Sequence, residues 1–281
     1  DLVHGPIEGL FTIDEETGMT GANALEPGVL KGDILINMDS ETEGELYVGC
    51  AGGIDTCGYF TPKFEDVPAG SKAFQLVVKG LKGGHSGMDI ILGRANANKV
   101  MNTLLLMLTE KYNVRVADIQ GGSLRNAIPR ESFMTVTVPE KYADHFVAYI
   151  PEFEEVVKKQ FAAVEPDMSI TVVPSEMPAK VIDKETIANL IVAVGKYPNG
   201  VIAMSKDFEG TVETSSNLAI VKLIDGQIMI ASLQRSLVDA SKDELAAKMR
   251  NLLEECGARA ESTGSYPGWK PNINSIIYNT M

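Results

Sequence analysis

From Lys63 onward the apolar residues keep one rhythm and then repeat it, and that rhythm limits the folds open to the chain more than anything else in it. Ala73 to Lys79 alternates, with Phe74, Leu76 and Val78 against Gln75, Val77 and Lys79, the period of a half-exposed strand. A helical period follows from about Arg94 to Tyr112, with Val100, Leu104, Met107 and Leu108 on one face. Strand patterns near 113–119 and 132–138 come next. An amphipathic helix over about 140–163 then turns Phe146, Ile150, Phe153 and Val157 inward, and Ser169 to Val173 closes a β-α-β-β-α-β order. A similar succession follows. Thr186–Val194 reads as a helix, Val201–Met204 as a strand, and Lys242–Ala260 as the closing helix. Between them, Leu218–Leu223 and Gln227–Leu233 read as an antiparallel pair turned at Asp225-Gly226. The expectation is one domain over 63–266 built from two ferredoxin-like halves.

The first 62 residues have another texture. Residues 7–13, 33–38 and 45–50 are short runs that are continuously apolar rather than alternating, which predicts buried strands of a helix-flanked, mostly parallel sheet. Thr17 to Leu25 reads as a short helix stopped by Pro27-Gly28, and Gly49-Cys-Ala-Gly-Gly53 as a small-residue turn. Beyond Tyr266-Pro-Gly-Trp269, residues 267–281 read as a return crossing whose last element is cut off. The fold class is thus α/β and α+β, in three segments: 1–62, 63–266 and 267–281.

Charge and cysteine content exclude several functions. A net charge of −13 speaks against nucleic acid and against anionic membrane surfaces, both of which need a clustered basic face. No apolar run approaches the roughly 20 residues that span a bilayer. Asp1-Leu-Val-His carries no signal-peptide pattern. Three cysteines, Cys50, Cys57 and Cys256, have no metal-binding spacing and suit a reducing, cytoplasmic setting as small buried or half-buried thiols.

Few residues are placed to carry chemistry. Asp14, Glu15 and Glu16 follow one apolar run, and Asp39 ends another. Neighbouring carboxylates repel, and burial disfavours their charge further, so a divalent cation would relieve both costs. A solvated acidic turn that caps a helix explains the same residues. Of three histidines, His4 and His145 read as structural. His85 sits between Gly83-Gly84 and Ser86-Gly87, where it is either functional or a solvated turn residue. The glycines of 80–87 are no phosphate cradle, because no G-K-[ST] follows, and no G-x-S-x-G elbow occurs. Asn126, in the loop Gly121–Pro129, suits an oxyanion; Arg235 suits a substrate carboxylate, though either residue is equally at home on an ordinary surface.

Taken together the motifs resemble a known family. D-E-E-T-G-M-T-G-A at 14–22, K-G-D-I-L-I-N-M-D-S-E at 31–41, E-L-Y-V-G-C-A-G-G at 45–53 and K-G-L-K-G-G-H-S-G at 79–87 are similar to the cytosolic non-specific, or aminoacyl-histidine (Xaa-His), dipeptidases. So are R-A-N-A-N-K at 94–99, G-G-S-L-R-N-A-I-P-R at 121–130, V-E-T-S-S-N-L at 212–218 and Y-P-G-W at 266–269. These are di-zinc exopeptidases. The resemblance implies that Glu15 is the general base, that Glu16 and Asp39 are ligands of the two zinc ions, and that 63–266 is a lid and dimerisation domain. It implies that His85 lies at or near the dimer contact and can reach an active site to bind substrate, that Asn126 touches substrate, and that Arg235 holds its C-terminal carboxylate. Cobalt or manganese can stand in for zinc at such ligands. The implied partners are a dipeptide and a second copy of the chain, meeting through an edge strand or the Arg94–Tyr112 helix.

The family's upstream H-x-D, its bridging aspartate and its C-terminal histidine are not in this sequence. The chain therefore reads as an internal fragment, expected to bind zinc weakly or not at all and to hydrolyse dipeptides negligibly by itself. Three other readings stand beside it: a lid or dimerisation module, a metal-free binding protein on the same scaffold, and a related aminoacylase or carboxypeptidase.

Overall fold

The computed structural model describes residues 3–15, 19–38 and 43–280. The chain divides into two units, residues 1–48 with 272–281, and Gly49–Pro271. In the first unit the described elements are two short helices, Thr20–Asn23 (α1) and Ile276–Thr280 at the chain's end. The strands expected at 7–13 and 33–38 do not form a ladder, and 45–50 contributes only an isolated bridge at Cys50. A strand needs a neighbour to take its N–H and C=O groups. Residues 7–13 and 33–38 are in no strand ladder, and Ile7, Phe11, Ile34 and Leu35 are exposed. Glu8 supplies a local tie by accepting from the backbone N–H of Lys31 (2.8 Å) and Gly32 (2.7 Å).

In the second unit the strands are Gly52–Phe60 (β1), Phe64–Asp66 (β2), Ser71–Lys79 (β3), Gly84–His85 (β4), Arg115–Gly121 (β5), Ala127–Ile128 (β6) and Ser132–Pro139 (β7). They continue with Ser169–Pro174 (β8), Lys180–Ile182 (β9), Gly200–Met204 (β10), Val212–Ile224 (β11), Gln227–Ser236 (β12) and Arg259–Tyr266 (β13). Four long helices intervene: Ala97–Tyr112 (α2), Ala143–Phe161 (α3), Lys184–Lys196 (α4) and Asp239–Glu255 (α5). The main sheet runs β13-β1-β12-β11-β5-β7-β3-β8, with β10 alongside β11. Every pairing is antiparallel.

That order contains the same motif twice. β3-α2-β5-β7-α3-β8 lies in the sheet as fourth, first, third and second strand, the ferredoxin-like arrangement. β1-α4-β11-β12-α5-β13 does the same from the other end, and the second strands of the two halves, β5 and β11, meet at the seam. Two halves are what the sequence predicts. Their wiring differs, because the second half takes its first strand from β1, ahead of the whole first half. The expected small-residue turn at 49–53 runs directly into that strand.

Local chemistry sets the element ends. The helix expected from Arg94 starts at Ala97, because the Asn96 side chain accepts from the N–H groups of Asn98 (3.0 Å) and Lys99 (3.2 Å). Asp225 (φ 49°) and Gly226 (φ 77°) make the left-handed two-residue turn of the β11–β12 hairpin. β3, read from its alternation as half exposed, has Ala73 and Val77 buried on the face opposite Phe74, Leu76 and Val78, with only Gln75 between them half-buried. Phe74, Leu76 and Val78 join Leu104, Leu108, Phe146, Leu190, Ile230 and Leu253 in one continuous core under the four helices.

Candidate functional site

Strand alternation decides which side chains leave that core. Ile228 and Ile230 of β12 face the helices, so Leu233 and Arg235 face the opposite, open side of the sheet. On β1, a Cβ at Gly58 would strike Leu253 of α5, which puts Gly53, Asp55 and Cys57 on the open side. Ser216 of β11 touches Met249 of α5, so Ser215 and Asn217 are on the open side as well. The candidate site is built on this face.

Two loops close over it. The glycine loop is tied at both ends by the buried Glu165, which accepts from the N–H groups of Lys82 (2.8 Å) and Ala95 (3.0 Å). Asp89 accepts from the His85 N–H (2.8 Å), and Arg94 pairs with Asp89 (3.4 Å) while donating to the Gly83 carbonyl (2.5 Å). β4 and β6 form a two-stranded ribbon with His85 opposite Ala127, extended by Ser86 N–H to the Asn126 carbonyl (2.8 Å). The glycine loop and the Gly121–Pro129 loop, separate in sequence, are thus one structure. From below, the Asn217 amide donates to the carbonyls of Arg125 (3.2 Å) and Ala127 (2.8 Å).

His85 is half-buried, and its Nδ1 accepts from the N–H groups of Gly87 (3.2 Å) and Met88 (3.3 Å). Those contacts select the neutral ring with its proton on Nε2. Burial and the Arg235 charge push its pKa below the usual histidine range, while Asp89 pulls it back in part. His85 and the exposed Asn126 line one open cleft of about 570 Å³, together with Lys82, Arg130, Phe133 and Lys222.

Arg235 stands on the other side of Ser86. Its Nε donates to Ser86 Oγ (3.4 Å) and its Nη1 to the Tyr266 hydroxyl (3.0 Å). Among the described residues no carboxylate forms an ion pair with it. Gly53 makes the arrangement possible: a Cβ there would overlap the Tyr266 ring, which lies across β1 to reach Arg235. Beside this, the buried Asp55 forms an ion pair with Arg125. Burial pushes the Asp55 carboxyl upward, and Arg125 and Arg235 oppose it.

His85, Asn126 and Arg235 are therefore brought together on one face. Sequence reasoning did not find Asp55, Ser86, Arg125, Asn217 or Tyr266. One signal was present for Asp55, a single charged residue inside the otherwise uncharged Gly52–Phe60 strand. Of the acidic set, Glu15 is exposed, while Glu16 and Asp39 lie outside the described residues. Among the described residues no group of three or more His, Cys, Asp or Glu side chains is placed to hold a metal ion.

Residues 76–165, from β3 to Glu165, match the family model described as a peptidase dimerisation domain. Over its whole length it is also 42% identical to the cytosol non-specific dipeptidase of Escherichia coli strain K12, 58% of which it covers. The crystal structure of aminoacylhistidine dipeptidase from Vibrio alginolyticus superimposes with a TM-score of 0.89 at 42% identity, over 95% of this chain and 55% of that one. The resemblance carried by the motifs is thereby shown, as is the mixed α/β fold. The chain spans less than two thirds of the length of either relative. The matched residues cover most of the first ferredoxin-like half, from Leu76 in β3 through α3 to the Glu165 that anchors the glycine loop, and stop short of β8. The ribbon strand β4 of that half carries His85 to the open face.

Proposed function

We propose that the open face of the second unit binds the C-terminal end of a dipeptide, and that the chain serves dipeptide hydrolysis. The observation that carries this is Arg235, a half-buried guanidinium held by two neutral hydroxyls, with no carboxylate paired to it among the described residues. A planar fork with unspent N–H groups takes a carboxylate in two parallel hydrogen bonds. The Asn126 amide and the Nε2–H of His85 supply donors beside the cleft for a peptide carbonyl. Similarity to two proteins named as dipeptidases supports the substrate class, including the cytosolic setting of one of them.

In the same reading Glu15 is the base that accepts a proton from the attacking water. Glu16 and Asp39 would offer carboxylates to divalent ions, zinc first and cobalt or manganese as substitutes; such an ion, when bound, would supply charge that polarises the carbonyl. The Gly49–Pro271 unit, which takes in β1 ahead of the expected 63–266, acts as the lid, and two copies associate through the residues that match the dimerisation domain. A second reading rests on the open face alone, where Arg235 is held by two hydroxyls: a lid and dimerisation module that binds the peptide end without cleaving it.

Histidine release from a panel of Xaa-His dipeptides, with each metal supplied in turn, tests the hydrolytic reading. Turnover that is lost in Glu15→Gln and that shows a raised KM in Arg235→Ala supports it. Dipeptide binding that depends on Arg235 but gives no turnover with any metal leaves the module. Absence of both removes the two readings together.

A further inference from the structure

We propose that Asp55 is a positioning residue that holds Arg125 beside Arg235, so that the open face presents two guanidinium groups to one carboxylate. The substrate part of this rests on the dipeptide reading above; the arrangement itself rests on strand register.

Asp55 of β1, Leu233 of β12 and Asn217 of β11 are direct cross-strand partners, and all three face the open side. Arg125 runs along this row. Its carbonyl is held by the Asn217 amide at one end (3.2 Å), and its guanidinium is paired with Asp55 at the other, two strands away. The next row on the same face is Gly53, Arg235 and Ser215. Arg235 is thus the diagonal neighbour of Asp55, about 7 Å along the sheet. Arg125 approaches from the loop, Arg235 rises from the strand, and Asp55 lies between them.

Stability does not account for this pair. Arg125 is largely exposed, with 61% of its side chain accessible, and an ion pair to such a group contributes little. Asp55 meanwhile is desolvated, and its Oδ1 is buried without a hydrogen-bond partner in the structure. A carboxylate kept under those conditions beside two guanidiniums has an electrostatic purpose. It offsets their mutual repulsion while the face is empty and stops Arg125 from swinging out to solvent. An incoming carboxylate then meets two forks already in place, and preorganised donors lose less on binding than mobile ones. Because the tie runs through Arg125, removing Asp55 and removing Arg125 have the same consequence.

The test has two arms on the full chain. In the first, acetate is titrated while the arginine Nε–H resonances are followed by NMR. Both Arg125 and Arg235 shift in the unsubstituted chain; in Asp55→Asn only Arg235 shifts. A titration in which Arg125 never responds overturns the proposal whether or not the chain binds dipeptides. In the second arm, glycyl-histidine and its C-terminal amide are titrated calorimetrically. Asp55→Asn and Arg125→Ala each weaken the dipeptide by about tenfold and leave the amide unchanged. The double variant is no weaker than Arg125→Ala alone. Losses that multiply in the double variant, or that fall equally on dipeptide and amide, overturn the role for Asp55. A chain that shows the acetate response but does not prefer dipeptide over amide ends the dipeptide reading and keeps the two-guanidinium site. Arg125→Lys keeps a cation against Asp55 and loses only the planar fork. It is expected to weaken the dipeptide and not the amide even if the Asp55 variant folds poorly. Equal affinity for dipeptide in Arg125→Lys and the unsubstituted chain overturns the role of the fork.

Discussion

His85 ties the charge of the open face to pH. With Nδ1 already accepting from two backbone N–H groups, protonation sets a positive charge against two donors and against Arg235. The folded-state pKa therefore lies below the ordinary value of about 6.5. The sign follows by linkage: the stability that the neutral ring contributes is fully present above about 6.5 and is lost as pH falls through the lowered folded value. Arg235→Gln removes the opposing charge and raises the His85 pKa in an NMR titration of its ring. An unchanged or lower value would show that burial alone sets it. Flanking glycines made this histidine legible in the sequence, and the motifs made Asn126 and Arg235 legible. Asp55 and Arg125 were not, because their meeting depends on the register of β1, β12 and β11. Leu233 is the residue both flanking strands share, and no local pattern links positions 55, 217 and 233.

At the scale of elements, the helices were readable because their apolar stripes need no distant partner to be seen, and Phe146, Ile150, Phe153 and Val157 are all buried as expected. The first strand of the second half was not readable, since its partners β12 and β13 lie about 170 to 210 residues further along. The same topology limits where two copies can meet. α2 is covered by α4 and the sheet, and the edge of β5 is taken by β11. The remaining edge of the first half, β8, is blunted. Ser175 N–H bonds inward to the Ala73 carbonyl, so the backbone N–H groups of 170 and 172 and the nitrogen of Pro174 point outward. Glu154 of α3 accepts from the Ile170 N–H (3.2 Å), and Pro174 has no N–H to offer. Both features deter strand addition. Replacing them together, as Glu154→Ala with Pro174→Val, is expected to drive association beyond the two copies proposed above, read in light scattering as a mass that rises with concentration past that of the unsubstituted chain. An unchanged mass across the concentration range would count against the edge being held in check this way.

For the Gly49–Pro271 unit as a whole, the question is whether two halves behave as one body. The strand seam is thin, pairing only Gly121 with Val221 and Gln120 with Lys222. One face of α2 supplies the rest. Asn96 donates to the Leu218 carbonyl (2.8 Å), Asn98 to Ala219 (3.4 Å) and Asn102 to Ile191 (3.1 Å). Lys99 caps the end of α4 by donating to the carbonyls of Val194 (2.6 Å), Gly195 (3.1 Å) and Tyr197 (2.6 Å). Burial lowers the Lys99 pKa to about 8, so these bonds are made by an ammonium with little water around it. Apolar side chains from both halves also belong to one continuous core. A helix of the first half thus makes its polar contacts to the second, and neither half keeps its core if the other opens. Leu104→Ala, in the buried centre of α2, is expected to cost about 2–5 kcal/mol. The loss is expected to move both halves together. Trp269, held to Cys50 by paired backbone hydrogen bonds of 2.7 and 2.9 Å beside β1, reports on the second half. Its fluorescence and the far-ultraviolet circular dichroism shift to the same lower midpoint if the unit is cooperative. A Trp269 transition left where it stands in the unsubstituted chain, with the dichroism splitting into two steps, would mean that the halves fold independently and that the α2 bonds only dock them.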